Sequence, residues 1–170
     1  MSEHLLVQLA RKTIETFVRD GKMISPPKEL IPEMKEKAGV FVSLHKRGQL
    51  RGCIGTFAPT TDNVAQEIMR NAIESSPRDP RFSPVAVGEL KDLEISIDVL
   101  SAPEPVGSAA ELDAKNYGVI IKADGRRGLL LPDLEGVNTP EEQIAICRSK
   151  AGIEENEPVE LFRFKVRRYH

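Results

Sequence analysis

The sequence predicts an α+β fold made of two related units, each running hairpin, helix, strand. Three observations carry the prediction. Apolar runs flank a glycine turn twice, at Val40 to Ile54 around Lys46-Arg47-Gly48 and at Val119 to Leu131 around Asp124-Gly125. A helix signal follows each hairpin: Thr61-Asp62 in the first case, the capping box Thr139-Pro140-Glu141-Glu142 in the second. A shift of 79 residues lays Gly39-Val40-Phe41-Val42 on Gly118-Val119-Ile120-Ile121 and Thr60 on Thr139, which reads as an internal duplication.

Residues 3–20 have the spacing of an amphipathic helix, with Leu6, Leu9, Ala10, Ile14, Phe17 and Val18 on one face and Gly21 placed to end it. Ser25 to Pro32 is an extended, proline-rich connection, and Glu33 to Lys37 fits one helical turn. In the first hairpin a one-residue slip exchanges the two faces. A three-residue loop with Gly48 in the left-handed position sorts them best. Val40, Val42, Leu44, Leu50, Gly52 and Ile54 then share one face, and Phe41, Ser43, His45, Gln49, Arg51 and Cys53 the other. The following helix runs to about Ser75 with Val64, Ala65, Ile68, Met69, Ala72 and Ile73 inward and Glu67, Arg70 and Glu74 on its polar face. Ser75 to Pro84 is too proline-rich for regular structure, and Leu93 to Leu100 alternates as a half-buried strand.

Ser101 to Gly107 is a second proline break, and Leu112 to Tyr117 fits a short helix. The second unit then has strands at Val119 to Ala123 and Gly128 to Leu131, a helix from Pro140 to about Ala151 with Gly152 as its stop, and a last strand from Val159 to Arg168. The first half spans about 39–100 and the second about 118–168, within a single domain of 1–170.

Composition narrows the function classes. A 40 % hydrophobic, 29 % charged chain of 170 residues has enough apolar material for a proper core. A net charge of -2 argues against a surface built for nucleic acid as a whole. Two distant cysteines and three scattered histidines match no metal-ligand spacing, and no phosphate-loop or dinucleotide fingerprint occurs, so neither metal nor cofactor is expected. The N-terminus has helical spacing instead of a leader-type apolar block, and no run is long enough to span a bilayer. The expected compartment is the cytoplasm.

The chemistry concentrates in Leu50-Arg51-Gly52-Cys53-Ile54-Gly55-Thr56-Phe57. Cys53 admits two readings, a small buried hydrophobe or a thiol activated by Arg51 two residues away on the same face. His45 is the nearest histidine in sequence but lies about two cross-strand steps off, far for a general base. Cys147 belongs to a buried helix face. Gly52 and Gly55 inside a strand mark a bulge or a close backbone approach. Arg78, Asp79 and Arg81 sit on the proline-flanked loop, either as a local ion pair or, with Arg51, as an anion-binding patch. Arg163, Lys165 and Arg167 form a basic stripe on the last strand whose Phe162 and Phe164 point the other way, an arrangement poorly suited to RNA. In the shifted comparison, Leu130-Leu131-Pro132 stands where the first half has Arg51-Gly52-Cys53, which leaves the specialised site in the first half.

Leu50-Arg51-Gly52-Cys53-Ile54-Gly55 also carries a resemblance, together with Ala38 to Leu44, Arg78-Asp79-Pro80-Arg81-Phe82, Leu93 to Ser101, Tyr117-Gly118-Val119-Ile120, Gly128 to Pro132 and Lys150-Ala151-Gly152. Over nearly its full length the chain resembles the AMMECR family. Glu104-Pro105, Asp133 to Val137 and Arg163-Phe164 make it most similar to the bacterial and archaeal subgroup called AmmeMemoRadiSam system protein A. The resemblance implies a curved, mainly antiparallel sheet flanked by helices, with two related halves. It implies a Memo-like protein and a radical SAM enzyme as partners, and it marks the hexapeptide as the active or binding site. It brings no reaction with it. The reading is therefore an accessory or ligand-binding protein that recognises a small anionic ligand or a partner through Arg51, Gly52, Gly55, Thr56, Arg78, Asp79 and Arg81. The alternatives are an enzyme with Cys53 as nucleophile and Thr56 or backbone amides holding an oxyanion, and an RNA-binding protein.

Overall fold

A computed structural model describes residues 2–76 and 80–170. Its elements are α1 (Leu5–Asp20), α2 (Pro32–Lys35), β1 (Val40–Lys46), β2 (Gln49–Gly55), α3 (Val64–Ser75), β3 (Leu93–Leu100), β4 (Glu104–Val106), β5 (Gly118–Ala123), β6 (Arg126–Leu130), α4 (Pro140–Ala151), β7 (Glu160–Phe164) and β8 (Val166–Tyr169). The chain divides into two compact units, Met1–Leu100 with Arg167–His170, and Ser101–Val166. The fold is α+β and antiparallel, with its strands in two four-stranded sheets, β2-β1-β3-β8 and β4-β7-β5-β6. In both, the first hairpin strand is central, with its hairpin partner on one side and the strand after the helix on the other. The hairpin-helix-strand order of the sequence thus appears as one topology used twice.

In the first unit α1 and α3 lay their apolar faces on β1 and β3. Leu6, Ala10, Ile14, Ile68 and Ala72 bury with Val40, Val42, Leu44, Ile95, Ile97 and Val99. The α1 start is capped by His4, whose Nδ1 accepts from the Leu6 amide at 3.1 Å, and Gly21 closes its end at φ 67°. The α3 cap is Asn63 (Oδ1 to the Gln66 amide, 2.9 Å), one residue beyond Thr61-Asp62. In the second unit Val119, Ile121, Leu130, Cys147 and Ile153 form the core. Thr139 caps α4 and left-handed Gly152 ends it, as the capping box and glycine predict.

Five local expectations are corrected. The first hairpin turn has two residues, with Arg47 and Gly48 both at positive φ (53° and 78°), the geometry of a primed turn that matches strand twist. His45 therefore faces Leu50, and a register shift between His45 and Leu44 leaves Arg51 as the extra residue of a β-bulge. Beyond the bulge Leu44 faces Gly52 and Ser43 faces Cys53, so the expected faces hold there by a different route. Leu50, expected in the core, is 41 % exposed. The last strand is two strands, β7 and β8, in different sheets. The 101–107 break contains β4, whose Pro105 sits on an edge strand where a missing N–H is tolerated. Instead of a helix at 112–117 there is a 3₁₀ turn at Ala109–Glu111, and another covers Val87–Asp92.

Candidate functional site

The motif strand β2 is an edge of the first sheet, and Arg51, Gly52 and Gly55 in it each have a packing task. A β-carbon at Gly52 would overlap the Ser75 carbonyl oxygen at the end of α3, so glycine is what lets helix and strand close up. Gly55 lies beneath the Phe41 ring, which a β-carbon there would penetrate. Both expected close approaches are thus to the protein's own backbone and side chains.

Arg51 is committed in the same way. Its Nε donates to Glu89 Oε1 at 2.9 Å and its Nη2 to Glu89 Oε2 at 3.0 Å. Nη1 donates to the Ser83 carbonyl (2.9 Å) and Nη2 also to that of Pro84 (3.3 Å). The side chain is 14 % exposed. Lys46 adds a second cation to Glu89 at 3.2 Å. The Arg51 hydrogen bonds, the Ala86 amide and Lys46 together hold the Glu89 carboxyl down to about 2, against a smaller opposing effect of burial. The bulge aims Arg51 at the 83–89 segment, and a two-pronged guanidinium fastens that segment to β2. Charge and donors are largely used up internally, so Arg51 positions the loop.

Thr56 leads to Glu67, expected on the polar face of α3. Glu67 is fully buried. Its carboxylate accepts from Thr56 Oγ1 (2.5 Å), from the Thr60 and Thr61 amides (both 2.7 Å), and from the Thr61 and Thr60 hydroxyls (2.7 and 2.9 Å). Burial pushes its pKa up, but the hydrogen bonds from Thr56, Thr61 and Thr60 outweigh that and hold it below the usual carboxylate range. Thr56 in turn accepts from Asn71 Nδ2 (3.2 Å), which also donates to the Val40 carbonyl (2.9 Å). The loop between β2 and α3 is thereby wrapped around one buried anion. Helical periodicity hid Glu67; the hydroxyl pair Thr60-Thr61 six and seven residues before it is the only sequence trace.

Cys53 is half-buried and reduced, with Ser43 Oγ 3.4 Å from its Sγ. Its carbonyl accepts from Nη2 of the exposed Arg81 at 3.0 Å, and Arg81 also lies over the Phe82 ring. Arg81, Cys53 and the Ser43 hydroxyl are the chemically capable groups brought together at this edge. Arg78 and Asp79 lie outside the described residues. Cys147 is fully buried with Sγ donating to the Val119 carbonyl (3.7 Å), and burial pushes its thiol up to about 11.

The second unit refines the comparison of halves. A β-carbon at Gly128 would overlap the Cys147 carbonyl oxygen of α4, as one at Gly52 would overlap that of Ser75. By this contact Arg127-Gly128-Leu129 lies against α4 as Arg51-Gly52-Cys53 lies against α3. Each segment places an arginine before the glycine that meets the helix, and only the first follows it with a thiol. The basic stripe of β7 and β8 is internally engaged: Arg163 pairs with Glu104 (3.2 Å) and stacks over Tyr117, and Arg167 pairs with Glu36. No helix among the described residues is long and apolar enough to cross a membrane, and none of their His, Cys, Asp and Glu side chains gather in threes to hold a metal ion.

The AMMECR1 family model matches residues 7–169, almost the whole chain. The chain belongs to the AMMECR1 family. A Thermotoga maritima protein is 53 % identical, with 99 % of each chain covered. A Clostridium acetobutylicum protein is 49 % identical over 96 % of this chain, which spans only 35 % of that relative's length. An uncharacterised Pyrococcus horikoshii protein of known crystal structure superposes with a TM-score of 0.89 at 32 % identity, covering 99 % of this chain and 92 % of its own. The α+β fold of this chain thus recurs in a relative that is itself described as uncharacterised.

Proposed function

We propose that this AMMECR1-family chain is a binding module that takes a small anionic ligand at the β2 edge, beside Cys53 and Arg81. It would work as an accessory to a Memo-like protein and a radical SAM enzyme. The observation that supports this reading is the division of labour between two arginines. Arg51 is sunk in a carboxylate and two carbonyls, whereas Arg81 stays exposed with one nitrogen on the Cys53 carbonyl. A guanidinium is a planar, always-charged group whose fork matches a carboxylate or phosphate, and that of Arg81 lies on the exposed side of the motif. The half-buried Cys53 thiol, with the buried Ser43 hydroxyl 3.4 Å behind it, adds a weak polar contact at the same edge.

Thermal melts with pyrophosphate and citrate test this. Wild type should gain stability in proportion to the logarithm of anion concentration. Arg81→Gln should lose that gain while melting normally, and Arg51→Gln should melt lower but retain some response. Equal responses from wild type and Arg81→Gln would refute the site. The cysteine-dependent alternative has one observation in its favour, a half-buried thiol placed beside a hydroxyl. It requires Cys53 to alkylate rapidly well below pH 8, and a slow reaction there removes it.

A further inference from the structure

We propose that the groove between α1 and α3, away from β2, binds an anionic amphiphile: a small molecule with an apolar body and a single carboxylate-type head. The groove lies wholly within the first unit and has a volume of about 540 Å³, within the usual range for small-molecule sites. Its walls come from Phe17 near the end of α1, Met23 and Ile24 in the extended segment after it, and Met69 and Ile73 on α3. Met23, 55 % exposed, stands at the mouth of the groove. Methionine on two sides gives walls that adapt to a flexible chain better than to one rigid shape.

The rim supplies the charge complementarity. Arg70 is exposed, donates one 3.3 Å hydrogen bond to Thr60 Oγ1, and pairs with no carboxylate among the described residues. This contrasts with Arg51, Arg126, Arg163 and Arg168, each held by an acidic side chain. A cation of this kind above an apolar floor fits a head group that is negative and a body that is not. Glu74, one turn further along α3, also lines the groove. Gln66, on the turn before, can donate to the same head. The Thr60 hydroxyl that Arg70 touches also donates to Glu67, so a head group on Arg70 competes for a contact with the loop that follows β2.

Decanoate is the probe, with decylamine and decanol as controls of the same body and a different head. Methyl-labelled methionine NMR reads the site, because Met23 and Met69 line the groove and Met34 does not. Decanoate at millimolar concentration should shift Met23 and Met69 and leave Met34 in place. Arg70→Gln, an exposed change that removes no core contact, should weaken decanoate by about tenfold. Met23→Asp, also at an exposed position, should weaken it as well by putting a negative charge at the mouth. The proposal is overturned if decylamine or decanol binds as well as decanoate. Arg70→Gln binding like wild type, Met34 shifting with the others, or no methionine responding would each overturn it too.

Discussion

Removing the charge of Glu89 should loosen the segment that Arg51 holds, and the effect should depend on pH in a defined way. The Glu89 carboxyl lies near 2 in the folded protein, well below the ordinary 4.5, chiefly through its hydrogen bonds from Arg51. That difference corresponds to roughly 3 kcal/mol as an upper bound. The pair sits at a sheet edge where solvent screens it, so about 1–2 kcal/mol is the expected cost of Glu89→Gln at pH 7. Because the folded pKa is depressed, the contribution is fully present above 4.5 and disappears as pH falls through about 2. At pH 3 roughly two fifths of it should remain. Urea unfolding of wild type and Glu89→Gln at both pH values measures this directly, since the variant has no titrating group at the position. A stability difference that is the same at pH 7 and pH 3 would refute the reasoning. So would one below about 0.3 kcal/mol at pH 7, the level of an inconsequential surface pair.

The buried anion gives a second pH-linked prediction. Glu67→Gln should cost about 2–4 kcal/mol in urea unfolding at pH 7, because a neutral amide cannot accept from three hydroxyls and two amides at once. With its pKa held low in the folded state, the Glu67 contribution is also present above the unfolded pKa and lost on acidification. Gly52→Ala should cost more than about 2 kcal/mol, since the overlap is with helix backbone that cannot swing aside. Gly48→Ala meets no atom within 4 Å and should cost only about 1 kcal/mol for its φ of 78°. Timed iodoacetamide labelling read by mass spectrometry should modify Cys53 first, because Cys147 is fully buried with its thiol pushed up to about 11; faster labelling at Cys147 would contradict the packing of α4.

Much of this fold could be read from local rules. Asp124-Gly125, Thr139-Pro140-Glu141-Glu142 and Gly152 each did what turn and cap chemistry requires, because those preferences are settled within a few residues. The first hairpin went differently. Arg47-Gly48 makes the tight turn that alternation alone argued against, and the bulge at Arg51 repairs the faces afterwards. A bulge is decided by what the extra residue reaches, here Glu89 and the Ser83 and Pro84 carbonyls, which lie more than thirty residues away. Glu67 was missed for the same reason: its burial depends on a loop folding back over α3. The candidate site was legible as a stretch, but the roles within it were not, since glycines and an arginine look alike in sequence whether they bind a ligand or pack against the chain. In the structure Gly52, Gly55 and Arg51 turn inward to the scaffold, and Cys53 with Arg81 is left at the edge.

Purification from the native host tests that assignment most directly. Wild type, Arg81→Gln and Arg51→Lys would be isolated under mild conditions, and bound metabolites and proteins compared by mass spectrometry. A small anion retained by wild type, lost from Arg81→Gln and partly kept by Arg51→Lys is the predicted result. A small anion without an apolar chain, retained equally by Arg81→Gln and wild type, would contradict the account and move the site away from the Cys53 edge.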